Sequence, residues 1–154
     1  MELVIEPARP EDAGELMTVQ RAAFLIEGEL NNSFTLPPMT ETLDEVRKAI
    51  ESDTVVLVAR LGHRIVGSVR GIAADGTGHV GRLSVAPDMH GRGIGRDLMA
   101  AIEAALAGRV TRYELFTGAS SENNLRMYRR LGYHDIGWRP AAAAPGLAYL
   151  EKRV

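Results

Sequence analysis

Residues 80–105 read VGRLSVAPDMHGRGIGRDLMAAIEAA, and the order of residue types in this stretch sets the architecture. Val80, Leu83 and Val85 suit a strand, Pro87 stops it, and Gly91, Gly93 and Gly95 crowd the turn that follows. Beyond the turn Ile94, Leu98, Ile102 and Ala105 recur at helical spacing, so the segment is strand, glycine-rich turn, helix. Glycines let the backbone approach a ligand closely, and the free amides of a helix start, aided by its dipole, bind anions. Arg92 and Arg96 add positive charge at the same point, which favours a phosphate-bearing ligand. A tight turn with incidental glycines would use the same residues. Two familiar phosphate motifs do not apply. There is no GxxxxGK followed by Ser or Thr, and HGRGIGRD fails GxGxxG because the sixth residue from Gly91 is Arg96.

Working outward, Leu3–Glu6 reads as a first strand, and Pro10 with Glu11 and Asp12 opens a helix striped by Leu16, Val19, Ala23 and Phe24. Residues 28–40, GELNNSFTLPPMT, read as a loop. Thr42 with Glu45 forms a capping box for a second helix that carries Leu43, Val46 and Ile50. Strands follow at Thr54–Arg60 and Arg64–Ala73, joined at Gly62-His63, and at His79–Val85 after the turn ADGTG at 74–78. After the central helix come a strand at Arg112–Thr117, a helix from about Ser121 to Leu131 stopped by Gly132, and strands at Tyr133–Trp138 and Gly146–Lys152. The last two strands are joined by RPAAAAP (Arg139–Pro145). The order β-α-α-β-β-β-α-β-α-β-β predicts an α/β fold, a mixed sheet with helices on its faces.

The 154 residues are one ordinary domain, 1–154, with 45% apolar and 25% charged residues. The absence of cysteine excludes disulfides, thiolate metal sites and a cysteine nucleophile, and no metal site is expected. Lacking both a membrane-length apolar run and a signal peptide pattern, the sequence predicts a soluble cytoplasmic protein. Net charge −2 and 5% aromatics disfavour nucleic-acid binding. The net value conceals a split: residues 1–53 carry −8, residues 54–154 carry +6, and 14 of the 16 glycines lie in the second part.

A second motif lies downstream, where SENNLRMYRRLGY occupies 121–133. Together the two segments resemble the GNAT acetyltransferase superfamily. Its acetyl-CoA motif Q/R-x-x-G-x-G/A falls on His90-Gly91-Arg92-Gly93-Ile94-Gly95, after Leu83-Ser84-Val85-Ala86-Pro87 in place of L-x-V-x-P. Its helix-to-strand stretch N/S-x-x-A/N-x-x-x-Y-x-x-x-G-F/Y falls on Ser121, Asn124, Tyr128, Gly132 and Tyr133. The resemblance spans residues 3–152 and is strongest over 80–133. His90 departs from the preferred Gln or Arg, which weakens a side-chain contribution but leaves the backbone cradle.

The resemblance implies the acetyltransferase sheet, splayed between its fourth and fifth strands, with acetyl-CoA as cosubstrate in the splay. Leu83 and Val85 would offer backbone groups to the pantetheine arm. Amides of Arg92, Gly93, Gly95 and Arg96 would hold the pyrophosphate, with Ser84, His90, Gly91 and Ile94 in the same strand and loop. Asn124 would reach the cofactor arm, and Ser121 would instead cap its helix. Tyr128 stands where family members assist departure of the CoA thiolate. Full proton transfer from a free tyrosine to a free thiolate is uphill by about 2 kcal/mol, so its best contribution is a hydrogen bond to sulfur as charge develops. A core tyrosine beside Leu125 and Leu131 is the bland alternative.

The implied reaction is direct acetyl transfer to a primary amine in a ternary complex, since no cysteine exists to carry an acetyl group. The acceptor is expected to be a small-molecule amine; a protein N-terminus or lysine, or a non-catalytic CoA-binding regulatory module, are the alternatives. The base that takes the amine proton stays open among Glu27, Glu29, His79 and Ser84. Glu27, Glu29 and Phe34 are candidate acceptor-side residues. Leu36 and Met39 of the 28–40 loop and the Arg139–Pro145 loop are further candidate walls. Trp138 is expected to pack, and Arg126, Arg129 and Arg130 to be solvated or to meet the CoA 3′-phosphate. Members of the family commonly pair as homodimers, so a homodimer is a further expectation. The −8/+6 split suggests an acidic acceptor side facing a basic cofactor side.

Overall fold

The computed structural model describes residues 2–140 and 146–154. Its elements are β1 (Leu3–Pro7), a 3-10 turn at Pro10–Asp12, α1 (Ala13–Leu30), α2 (Pro37–Thr40), α3 (Leu43–Glu51), β2 (Val55–Leu61), β3 (Arg64–Ala74) and β4 (Thr77–Val85). A 3-10 turn at Pro87–Met89 leads to α4 (Ile94–Leu106), β5 (Arg112–Gly118), α5 (Glu122–Arg130), β6 (His134–Arg139) and β7 (Leu147–Arg153). The seven strands form one mixed sheet in the order β1-β2-β3-β4-β5-β7-β6, with β4 and β5 parallel and the other neighbours antiparallel. This is the mixed α/β sheet that the sequence predicts.

The largest departure lies in residues 28–40. α1 runs on to Leu30, and Pro37–Thr40 makes a helical turn, so the irregular stretch is shorter than expected. Two prolines at the start of α2 are compatible with the first helical turn, where their missing N–H groups cost nothing. Asn32 at φ 51 takes the left-handed conformation that ends α1. β4 begins at Thr77 because only Asp75 and Gly76, at φ 51 and 77, are needed to turn the hairpin after Ala74. The loop residues 141–145 lie outside the described residues.

Helices cover both faces of the sheet, α1 and α3 on one and α4 on the other. The α4 stripe of Ile94, Leu98 and Ile102 is buried as predicted, while Ala105 is exposed and Leu106 takes its place. α4 rides directly on β3: a side chain at Gly71 would stand 2.7 Å from Ile102 Cγ1. The capping box on α3 is present, with Glu45 N donating to Thr42 Oγ1 at 3.2 Å and Thr42 N to Glu45 Oε1 at 3.0 Å.

Two features open the sheet. β4 and β5 pair only through Thr77↔Arg112, Gly78↔Tyr113 and His79↔Glu114. Against β3, Ser68 faces Ser84 but Arg70 faces Gly81, so β4 spends one extra residue there, and Arg82 sits at φ 55. Such a bulge bends a strand, and here it lies where β4 leaves β5.

Candidate active site

The turn from β4 into α4 is built by backbone. Gly91 and Gly93 both take φ 78, a conformation that disfavours any other residue. The helical ladder starts with Asp97 N donating to Gly93 O at 3.0 Å. The amides of Ile94, Gly95 and Arg96 therefore have no helical acceptor, and at the positive end of the dipole they can hold an anion.

Ahead of this helix start lies a cleft of about 670 Å³, within the range of small-ligand sites. One wall comes from Leu83, Val85, His90, Gly91, Gly93, Ile94, Gly95 and Arg96, the second from Asn124, Met127, Arg130 and Leu131 on α5, and the third from Ala23, Phe24, Glu27 and Leu30 on α1. Position 95 borders the cleft closely: a Cβ there would stand 3.4 Å from Met127 Sδ and 3.7 Å from Val85 Cγ2. Nine of the eleven residues expected to hold the cofactor thus meet in one place. Arg92 is exposed at the loop surface. Ser84 is buried, its Oγ donating to Arg82 O at 3.0 Å, and strand alternation sends it to the other face from Leu83 and Val85.

Of the candidate bases, only Glu27 borders the cleft. Its carboxylate accepts from the Ser121 hydroxyl and from Asn124 Nδ2, the latter at 3.0 Å. Ser121 gives its hydroxyl to Glu27 and makes no side-chain cap. Residues 94 and 97 positions apart are thereby joined, and the carboxylate sits by the first turn of α5, where negative charge is favoured. Glu29 and His79 are exposed, and Phe34 is 57% exposed and away from the cleft. Of the three candidate acceptor-side residues, Glu27 is the one that borders the cleft.

Asn31 escaped the sequence reading. It is buried, and its Nδ2 donates to Glu27 O at 2.8 Å and to Ser121 Oγ at 3.2 Å, while its Oδ1 accepts from Ser120 N at 3.3 Å. It packs on Gly118, which leaves no room for a Cβ. An asparagine behind a helix reads only as an end cap, which it also is, so nothing local announces the bridge.

Tyr128 lies in the hydrophobic core, edge-on to Tyr133 with ring centroids 6.0 Å apart. Burial, and then the negative charge of Glu27, push its hydroxyl well above the ordinary tyrosine range, so it stays protonated. Of the α5 arginines, Arg129 pairs with Asp135 and Arg130 borders the cleft, and both, with Arg126, line a second, more open hollow beside α5. Trp138, expected to pack, is 58% exposed.

No curated protein matches the sequence. The fold is similar to that of PaiA N-acetyltransferase from Thermoplasma acidophilum, solved with coenzyme A, at TM-score 0.82 and 16% identity over 100% of both chains. It is similar to a GNAT-family acetyltransferase from Streptococcus pneumoniae at TM-score 0.74 and 25% identity, over 99% of this chain and 100% of that one. It is also similar to yncA from Salmonella typhimurium, solved with acetyl-CoA, at TM-score 0.77 and 16% identity, over 99% of this chain and 94% of that one. The acetyltransferase (GNAT) domain matches residues 52–135, more than half of the chain, and the protein belongs to the GNAT acetyltransferase family.

Proposed function

We propose that residues 1–154 act as one catalytic domain that transfers an acetyl group from acetyl-CoA to the primary amine of a small molecule. The observation that carries this reading is the continuity of one cleft from the free amides of α4 to the Glu27 carboxylate. The donor set suits a pyrophosphate at one end and an amine at the other. Coenzyme A in PaiA and acetyl-CoA in yncA support the same ligand here. When bound, acetyl-CoA supplies an activated thioester carbonyl.

In this reading Gly93, Gly95 and Arg96 hold the pyrophosphate by their amides, and Leu83 and Val85 align the pantetheine arm along the free edge of β4. The Val85 amide polarises the carbonyl oxygen that the amine attacks. An alkyl ammonium must first lose a proton, which costs about 4.6 kcal/mol at pH 7. Glu27 receives it, held in place by Ser121, Asn124 and Asn31. Tyr128, kept protonated by its surroundings, donates a hydrogen bond to the departing sulfur without surrendering the proton outright.

The test is release of free thiol from acetyl-CoA across polyamines, aminoglycosides, amino acids and peptides. Turnover with a small amine is expected. CoA binding without thiol release for any acceptor would leave a regulatory module instead. Tyr128→Phe should lower kcat about tenfold, the worth of one hydrogen bond of roughly 1.4 kcal/mol. Unchanged turnover at every pH would remove Tyr128 from the mechanism.

A further inference from the structure

Where β3 and β4 meet α1, the structure holds an ion cluster with too few anions. Arg70 of β3 grips Glu41 with both terminal nitrogens, Nη1 to Oε2 at 2.9 Å and Nη2 to Oε1 at 2.6 Å. Gln20 of α1, fully buried, donates to the same Oε1 at 3.0 Å and to Pro38 O at 3.0 Å. Arg21 takes the Glu41 backbone carbonyl at 2.9 Å. Arg82 comes second to a carboxylate already engaged, with Nη2 3.7 Å from Oε2. Among the described residues, Arg70 Nε and Arg82 Nε are buried donors without an acceptor. Glu45, the next acid to bear on Arg82, has its carboxylate on the Thr42 amide.

Buried guanidinium groups in excess of carboxylates are costly unless an anion joins them. Arg82 is also the residue at φ 55 on the β4 bulge, a strained conformation of the kind that collects at ligand sites. Its side chain is 26% exposed, against 11% for Arg70 and for Glu41, so a ligand can reach it. Burial holds its guanidinium below the ordinary arginine range, with Glu41 raising it and repulsion from Arg70 lowering it further.

The position relative to the proposed chemistry is defined by two elements. Arg82 lies three residues before Val85 on the β4 edge that β5 leaves unpaired, and the Gln20–Glu41 contact lies two turns before Glu27 on α1. Either path measures roughly 10 Å along its element. A guanidinium on this unpaired stretch of β4 suits a planar carboxylate better than any neutral group.

We infer that Arg82 is the anion-binding residue of the acceptor site, and that the acceptor carries a carboxylate several bonds from its reacting amine, as an ω-amino acid does. This inference rests on the acetyl-transfer reading above, and its test separates the two. Thiol release is measured for 6-aminohexanoate, 4-aminobutanoate, glycine and hexylamine with wild type, Arg82→Met and Arg82→Lys. Binding of 6-acetamidohexanoate to the CoA-saturated protein is measured by calorimetry, with CoA affinity checking that each variant is folded.

The expected result is at least a tenfold preference in kcat/KM for 6-aminohexanoate over hexylamine, set mainly by KM and declining toward glycine. Arg82→Met should reduce that preference to within twofold, and Arg82→Lys should restore part of it. Equal use of 6-aminohexanoate and hexylamine by wild type, or an equal loss for both in Arg82→Met, overturns the inference while acetyl transfer stands. Arg82-dependent binding of 6-acetamidohexanoate without acetylation of any amine upholds the anion site and overturns the acetyl-transfer reading. Absence of both carboxylate binding and carboxylate turnover overturns the site, whatever happens with hexylamine.

Discussion

The cleft has walls of two kinds. The wall from β4 into α4 is made of backbone: free amides, left-handed glycines and a strand edge, contributed by residues within 83–96. The wall between α1 and α5 is made of side chains, with Glu27, Asn31, Ser121 and Asn124 joined across 90 residues or more. A backbone wall tolerates exchange of its side chains but not of its conformation. A side-chain wall fails at single atoms, because each group in it is a unique donor or acceptor. Beneath the second wall, the Glu41–Arg70 pair and Gln20 tie α1 to the sheet.

Four substitutions test this contrast. The largest effect is expected for Glu41→Gln, which leaves Arg70 and Arg82 without their carboxylate and should cost about 3–5 kcal/mol in urea unfolding at pH 7. Burial pushes the Glu41 carboxyl up, but hydrogen bonds from Arg70 and Gln20, with the charges of Arg70 and Arg82, hold it below its ordinary 4.5. A lowered folded value means stability that is present above about 4.5 and lost as pH falls through the folded value. Wild type should therefore lose stability in that acid range, and Glu41→Gln should lose less there. A wild-type stability that is flat from pH 6 to pH 3 would contradict this.

Next comes Glu27→Gln, which keeps the shape of the second wall and removes the proposed base. A fall in kcat of about 10²–10³-fold is expected, in the range of general base catalysis, with CoA affinity nearly unchanged. If kcat holds and CoA affinity falls instead, Glu27 serves the cofactor and the two walls do not divide the labour as described.

The backbone wall gives smaller effects. Gly93→Ala forces a side chain into φ 78 and against Arg96, at a cost of about 1–2 kcal/mol, and CoA affinity should drop about tenfold. His90→Ala should change CoA affinity by less than about threefold, as expected of a wall that binds through amides. A larger loss for His90→Ala than for Gly93→Ala, read by calorimetry, would reverse the distinction.

The −8/+6 division of charge shows why counting alone misleads. Glu6 and Asp12 pair with Arg60, and Glu41 pairs with Arg70, so much of the opposition is settled inside the fold rather than displayed on two faces. Arg60, Arg70 and Arg82 look alike in the sequence as strand arginines; only their carboxylates distinguish a fully matched one from one left short. Residues 28–40 misled for a similar reason, because asparagines and prolines that suit turns also suit the end of α1 and the first turn of α2.

The mixed sheet, the order of its central elements and the α4 cradle are legible in the residues alone. Those depend on periodicity, on Pro87 and on glycines whose conformational requirement is local to the chain. The sequence also identified Glu27 and Tyr128 as residues of interest without choosing a base among Glu27, Glu29, His79 and Ser84. Tertiary structure alone decided that Glu27 meets Ser121 and Asn124, that Asn31 locks them together, and that Arg82 stands beside an occupied carboxylate. The physical reason is range. A backbone conformation is set by neighbours in sequence, whereas a hydrogen bond or ion pair between side chains depends on distances that exist only once the helices are packed on the sheet.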